Sequence, residues 1–305
     1  MISKRLTFAW KFHIMHRRHI LFIVLCLLLS GCSGDPQKFY AIDGFFVDQP
    51  LWLIYAYTLI LILGSISVGY RYARYRKRKS QGKEEASLGP VVSGLMGLLA
   101  FILAFTFGLA NNRYNERKDL MLNEVTTIET SYYRTYLLPE QNGQRIRNLL
   151  KSYTTLRLKA YNPKQPIKDI INESEVLKRK IWMEIMDLSD EKLQNPVVYS
   201  LILGSINDMF NIHTKRVTIG TIYHLPAVLW IALYLLVIFT MLGIGYSIGQ
   251  SIAANRLMVA FFALGFTCII LLIADLDHGG TKYSGFIRVN PKPMIDLEQR
   301  IYANP

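Results

Sequence analysis

The chain has 305 residues, of which 51% are hydrophobic, with a mean hydropathy of +0.21 and a formal net charge of +13. It is more apolar than an ordinary soluble domain and less so than a chain lying wholly in a bilayer, which implies membrane and aqueous parts together. The positive charge does not indicate nucleic acid: its densest cluster, RYARYRKRKSQGK over Arg71 to Lys83, directly follows an apolar run, as membrane flanks do.

The first element is a targeting segment. MHRRHILFIVLCLLLSGC, Met15 to Cys32, has a basic start, an apolar core of about ten residues and small residues before its cysteine, too short to span a bilayer. Leu29-Ser30-Gly31-Cys32 resembles a bacterial lipobox, with Cys32 as the acylated residue; an uncleaved signal anchor is the alternative. The basic region before the core is unusually long, which makes Met15 an alternative start. Cys26 and Cys268 lie inside apolar runs without the spacing of a metal site or disulfide framework.

Four runs then reach the length of a membrane helix: Leu51 to Tyr70, Leu88 to Ala110, Leu225 to Ile248 with Pro226 in its first turn, and Leu257 to Ala274. Trp52, Tyr55, Tyr70 and Tyr72 near the ends of the first fit the interfacial level. No span carries an ionisable side chain at its middle, which disfavours a proton or ion relay.

Between the second and third spans the period is helical. Met121, Val125, Ile128 and Tyr132 form one stripe; Ile146, Leu149, Tyr153 and Leu156 a second; Leu177, Ile181, Ile185 and Leu188 a third; Val198, Ile202, Ile206 and Met209 a fourth. Pro139, Asn162-Pro163 and Asn195-Pro196 separate them. No run alternates with period two, so the fold class is all-α: a polytopic membrane protein with four transmembrane helices and an inserted antiparallel helical bundle. After Gly108 neither glycine nor proline interrupts LAFTFGLANNRYNERK, Leu103 to Lys118, so one continuous helix is expected from Pro90 to Leu138. The chain divides into a signal (1–32), a membrane hairpin with a basic loop (33–110), a helical domain (111–222), a second hairpin (223–277) and a C-terminal tail (278–305).

Charge sets the expected sidedness. Arg71, Arg74, Arg76, Lys77, Arg78, Lys79 and Lys83 fill the short connection between spans one and two, which the positive-inside rule places in the cytoplasm. The bundle, the Cys32 region and the tail then fall in the periplasm, with the spans in the inner membrane.

Four blocks resemble the bacterial bestrophin-like domain family: LAFTFGLANNRYNERK, NEVTTIETSYYRTYLLP, SINDMFNIHTKR and DLDHGGTKYSGFIRVNPKPMIDL. The similarity runs from Leu51 to Ile301, and the pattern's arginine-proline pair is replaced here by His278-Gly279. The family-motif polar residues are Asn207, Arg216, Asp275, Asp277 and Arg288. A fainter likeness to bestrophin anion channels implies a homo-oligomer, with five subunits as the distant model, in which span two lines a pore for small ions, anions before cations.

In such an assembly Phe101 and Phe105 make a hydrophobic constriction and Arg113 and Arg117 charge its mouth; lipid-facing phenylalanines and headgroup-anchoring arginines are the plainer alternatives. Ala100, Ala104 and Gly108 form a small-residue ladder on that span, and Gly245 and Gly249 a close-packing signal on span three. Asp275 and Asp277 bracket Leu276 and so face different sides of a helix, with Arg113 or Arg216 as the expected ionic partners. No catalytic residue, cofactor or metal is expected, and His213 is read as a hydrogen-bonded structural histidine. The function class set against a channel is a non-conducting envelope scaffold or sensor whose helical domain binds a protein partner.

Overall fold

The computed structural model of the chain describes residues 49–79, 88–162, 165–188, 195–251, 256–278 and 285–303; the signal segment, Cys32 and Met15 lie outside them. The described residues form helices with no strand among them.

Helix α1, Leu51–Lys79, has 29 residues and so is about 43 Å long, against about 30 Å of bilayer hydrocarbon. Its last turns carry Arg76, Lys77, Arg78 and Lys79 beyond the apolar stretch, where cations also suit the negative end of the helix dipole. Helix α2, Gly89–Arg134, runs unbroken for 46 residues, about 69 Å, with Pro90 in its first turn. The expected continuous helix is therefore present, and its last turn tightens into the 3-10 segment Thr135–Leu137.

Three helices complete the insert: α3, Glu140–Lys159; α4, Ile167–Asp187; and α5, Pro196–Thr221. Proline sets several starts. Pro139 and Pro166 are the N-caps of α3 and α4, and Asn195 caps α5 by accepting from Val197 N at 3.0 Å, with Pro196 inside the first turn. Helix α6 spans Ala227–Gln250, so Pro226 is its N-cap rather than a residue of the turn itself. Helix α7, Arg256–His278, is the fourth apolar span. By length and composition α1, α2, α6 and α7 are long and apolar enough to cross a membrane.

Within the membrane part α1 and α6 meet backbone to backbone. A Cβ on Gly249 would sit 2.6 Å from Ala73 Cβ and 2.8 Å from Tyr70 O, and one on Gly245 or Gly69 would collide with the facing backbone at Ile66 or Leu242. Hydrogen at these positions is what permits the approach. Thr58 and Tyr234 hydroxyls meet across the pair at 2.8 Å, and Lys77 Nζ donates to Gln250 O at 3.0 Å. The basic end of α1 and the C-terminal end of α6 thus lie at the same end of the spans.

The four predicted stripes of the insert converge. Ile128, Ile146, Leu150, Tyr153, Ile181, Ile185, Ile206 and Met209 are fully enclosed, with Leu149, Leu177 and Val198 packed against them. The segment expected only as a tail supplies another wall: α8, Lys292–Ala303, places Met294, Leu297 and Ile301 into this core against α2 and α3. Their spacing of three and four is the helical period, carried by a helix of only 12 residues.

Candidate functional site

Helix α2 has two unlike sides in its membrane half. Val92, Leu99, Leu103, Thr106 and Ala110 are buried, and the helix packs on α6 and α7. Thr106 satisfies its hydroxyl internally by donating to Ile102 O at 2.7 Å. The opposite side is uncovered: Phe101 is 66% and Phe105 51% exposed, Ala100 and Ala104 are exposed beside them, and a Cβ on Gly94, Gly97 or Gly108 would meet nothing within 4 Å. Among the described residues the ladder of small residues thus has no partner helix. Gly245 and Gly249, read from the same kind of spacing, are fully used by α1.

Where α2 leaves the apolar region a polar collar gathers around the end of α7. Arg117 is only 6% exposed and donates to the carbonyls of Leu276 and, at 3.5 Å, Asp277. His224 Nδ1 lies 3.1 Å from Asp277 O, and the Asp277 carboxylate accepts from Leu225 N at 2.9 Å. Asp275, on another face, accepts from Phe286 N at 3.1 Å and Ile287 N at 3.0 Å. The ring of His278 reaches Ala274 O with Nδ1 at 2.7 Å and Gln49 O with Nε2 at 3.0 Å.

The last carbonyls of a helix have no partner within it and carry its negative pole, which is why cations and donors collect there. The two aspartates do face different sides, but their expected partners need correction. Neither Arg113 nor Arg216 pairs with them: Arg113 sits 3.5 Å from Glu116, one turn on, with its guanidinium over the Tyr223 ring, and Arg216 belongs to a different cluster. Arg117 is the arginine at Asp277, and Arg288 is the one within electrostatic reach of Asp275. Arg117 is spent inside the protomer, whereas the Arg113 side chain is 36% exposed. Asn207 points to solvent from α5, and exposed Arg288 donates to Gly285 O at 3.1 Å.

The second cluster lies inside the helical insert. Glu124 of α2 is 0% exposed; Arg157 Nε of α3 stands 2.8 Å from one carboxylate oxygen and Arg216 of α5 pairs with the other. Tyr153 donates to Glu124 at 3.0 Å and stands 2.8 Å from His213 Nδ1, while Tyr161 accepts from Arg216. Burial first, then the Arg157 and Lys178 charges, holds His213 down to about 3, so the ring is neutral at ordinary pH. Burial lowers Arg216 to about 10 without discharging it at neutral pH, and raises Tyr161 to about 12. A carboxylate that enters a closed core needs such partners, and here they tie three helices together.

Of this cluster sequence reasoning singled out His213 and Arg216, and missed Glu124 and Arg157. One signal was available: Glu124 occupies a core position between Met121 and Ile128, where a lone charge in an apolar stripe announces a buried partner. Among the described residues no group of three histidine, cysteine, aspartate or glutamate side chains could hold a metal ion.

Comparison with known proteins agrees with this architecture. Solved structures similar to the chain include a variant of a bacterial bestrophin homologue from Klebsiella pneumoniae, at 12% identity and a TM-score of 0.58, covering 83% of this chain and 98% of that one. Another structure of that homologue gives 14% identity and a TM-score of 0.58, covering 82% and 97%. A variant described as a membrane protein gives 13% and a TM-score of 0.61, covering 81% and 97%. At such identities the likeness shows the fold alone. No curated protein matches the chain. The family model of the Bestrophin-like domain, however, matches residues 59–294, from inside α1 to α8 and through both polar clusters, so the chain belongs to the bestrophin-like family of membrane proteins.

Proposed function

We propose that the protein assembles as a homo-oligomer with α2 nearest the axis, and that the axis is a path for small ions, anions in preference. The observation that carries this reading is the uncovered face of α2, where two phenylalanines stand among small residues that no helix among the described residues covers. Copies of that face around an axis give close backbone approach through Ala100, Ala104 and Gly108, and a ring of Phe101 and Phe105 that gates by dewetting. Arg113, repeated around the mouth, draws anions, moderated by Glu116 beside it; buried Arg117 acts as the pin on the end of α7. The subunit number suggested by the family likeness is five. A mass measurement in mild detergent together with planar-bilayer recording tests this: a monomer that stays silent in several salts and voltages would sink it.

The basic end of α1 is assigned to the cytoplasm of the inner membrane, with the helical bundle and α8 in the periplasm and Cys32 as the acylated residue; the cation cluster from Arg71 to Lys83 supports this orientation. A periplasm-dependent reporter enzyme fused after Gln141 should be active, and activity only after Lys79 would invert the arrangement. The second reading, a non-conducting scaffold or sensor, is favoured by one observation: Val176, Trp182, Met183 and Met186 leave an exposed apolar surface on α4. It predicts an oligomer-independent protein partner for the bundle and no current.

A further inference from the structure

The basic end of α1 has two unlike sides. Ile66, Gly69 and Ala73 are buried, and α6 lies against them. Arg71, Arg74, Tyr75 and Arg78 recur at the same steps of three and four about half a turn round the helix, and all are exposed. The height of this stripe follows from length: from Leu51 to Tyr70 the helix rises about 30 Å, the thickness of the hydrocarbon. Arg71 therefore stands at the headgroup level, and Arg78, about 10 Å further on, at its outer edge. Lys77 is spent on Gln250 O, 3.0 Å away, and the Arg74 guanidinium lies 5.7 Å from the Tyr70 ring, which steadies it without neutralising it. Among the described residues no carboxylate occurs in α1, in the adjoining first turns of α2 or in α6.

We propose that Arg71, Arg74 and Arg78 form a binding site for the phosphate headgroup of an anionic phospholipid, with Tyr75 beside it at the interface. A guanidinium matches a phosphate with two parallel N–H donors, and arginines one turn apart present two such forks to one headgroup. A tyrosine ring at this height keeps its body in the apolar layer and its hydroxyl in the polar one. What commits the stripe to a lipid, and not to a soluble anion, is its continuation into the membrane. The same face of α1 carries Ile60, Gly64, Ser67 and Val68, all exposed, and a Cβ on Gly64 would meet nothing within 4 Å. Among the described residues no helix covers that strip, so an acyl chain can lie along it while its phosphate rests on the arginines. The site serves whichever leaflet receives this end of α1.

The test uses the full chain in phosphatidylcholine bilayers containing a trace of spin-labelled phosphatidylglycerol or spin-labelled phosphatidylcholine, and reads the fraction of each label immobilised at the protein. The wild type should hold the anionic label about fivefold more strongly than the zwitterionic one at low salt, and the preference should fall as ionic strength rises. Substituting all three, Arg71→Gln with Arg74→Gln and Arg78→Gln, should bring the two labels within about twofold of each other. Where that triple variant fails to insert, Arg74→Gln alone, which leaves the other cations of the connection in place, should lower the preference by about half. A wild type without preference, or glutamine variants that keep the wild-type preference, overturn the proposal. So does inorganic phosphate that abolishes the preference where chloride at equal ionic strength does not, because the ligand is then a free anion and not a lipid.

Discussion

The two halves of α2 obey one packing rule in two solvents. A single buried stripe runs its whole length, from Val92 through Leu103 and Ala110 to Arg117, Glu124, Ile128 and Tyr132. What changes is the other side. In the membrane half it is Leu98, Phe101 and Phe105, and in the bundle half it is Glu116, Lys118, Asp119, Asn123 and Thr126. The inner side changes in the reverse sense, from uncharged residues to a stripe that includes Arg117 and Glu124. The lesson is that water on the outside lets a helix bury charge on the inside, provided partners come from other helices, whereas the membrane half keeps both sides free of charge and leaves one side available to lipid or another copy.

The difference can be broken most severely from the bundle half. Glu124→Gln leaves Arg157 and Arg216 as buried cations without their carboxylate, and should destabilise the protein by about 3–5 kcal/mol. Thermal melting of the purified variant checks this, and a melting point within a degree of the wild type would mean that the cluster contributes little.

A smaller effect comes from pH. The folded His213 ring stays neutral down to about 3. The unfolded ring takes up a proton below about pH 6.5, so stability is unaffected above that value and declines as pH falls from about 6.5 towards 3. At pH 5 the loss is about 2 kcal/mol, and His213→Gln should remove that acid-side slope. Melting curves at pH 7.5 and 5 for the two proteins decide it.

The smallest effect on protomer stability is expected on the bare face of α2. Ala104 is exposed among the described residues, so Ala104→Leu should change the unfolding free energy by less than about 0.5 kcal/mol. If copies pack there, the same change shifts the oligomer mass or its dissociation in detergent. An unchanged mass together with unchanged stability would assign that face to lipid and sharpen the contrast between the halves into one of solvent alone.

Much of the fold was written in the order of residues. Length and apolarity determine the four spans, because a bilayer demands about twenty apolar residues and the chain has four such runs. The 3.6-residue period marks the stripes of the insert, and the lack of a breaker after Gly108 makes α2 one helix. Asp275 and Asp277 facing apart follows from their separation of two. Local rules of this sort need no knowledge of what lies across the core. The tertiary structure alone decided the partners: that Arg117 and not Arg113 or Arg216 meets the end of α7, that Glu124 gathers arginines from α3 and α5, that α8 closes the bundle, and that His278 spans to Gln49. Each of those depends on side chains brought together from distant segments. Charge carries no address in the sequence, and only the packing of whole helices brings a cation to its carboxylate or carbonyl.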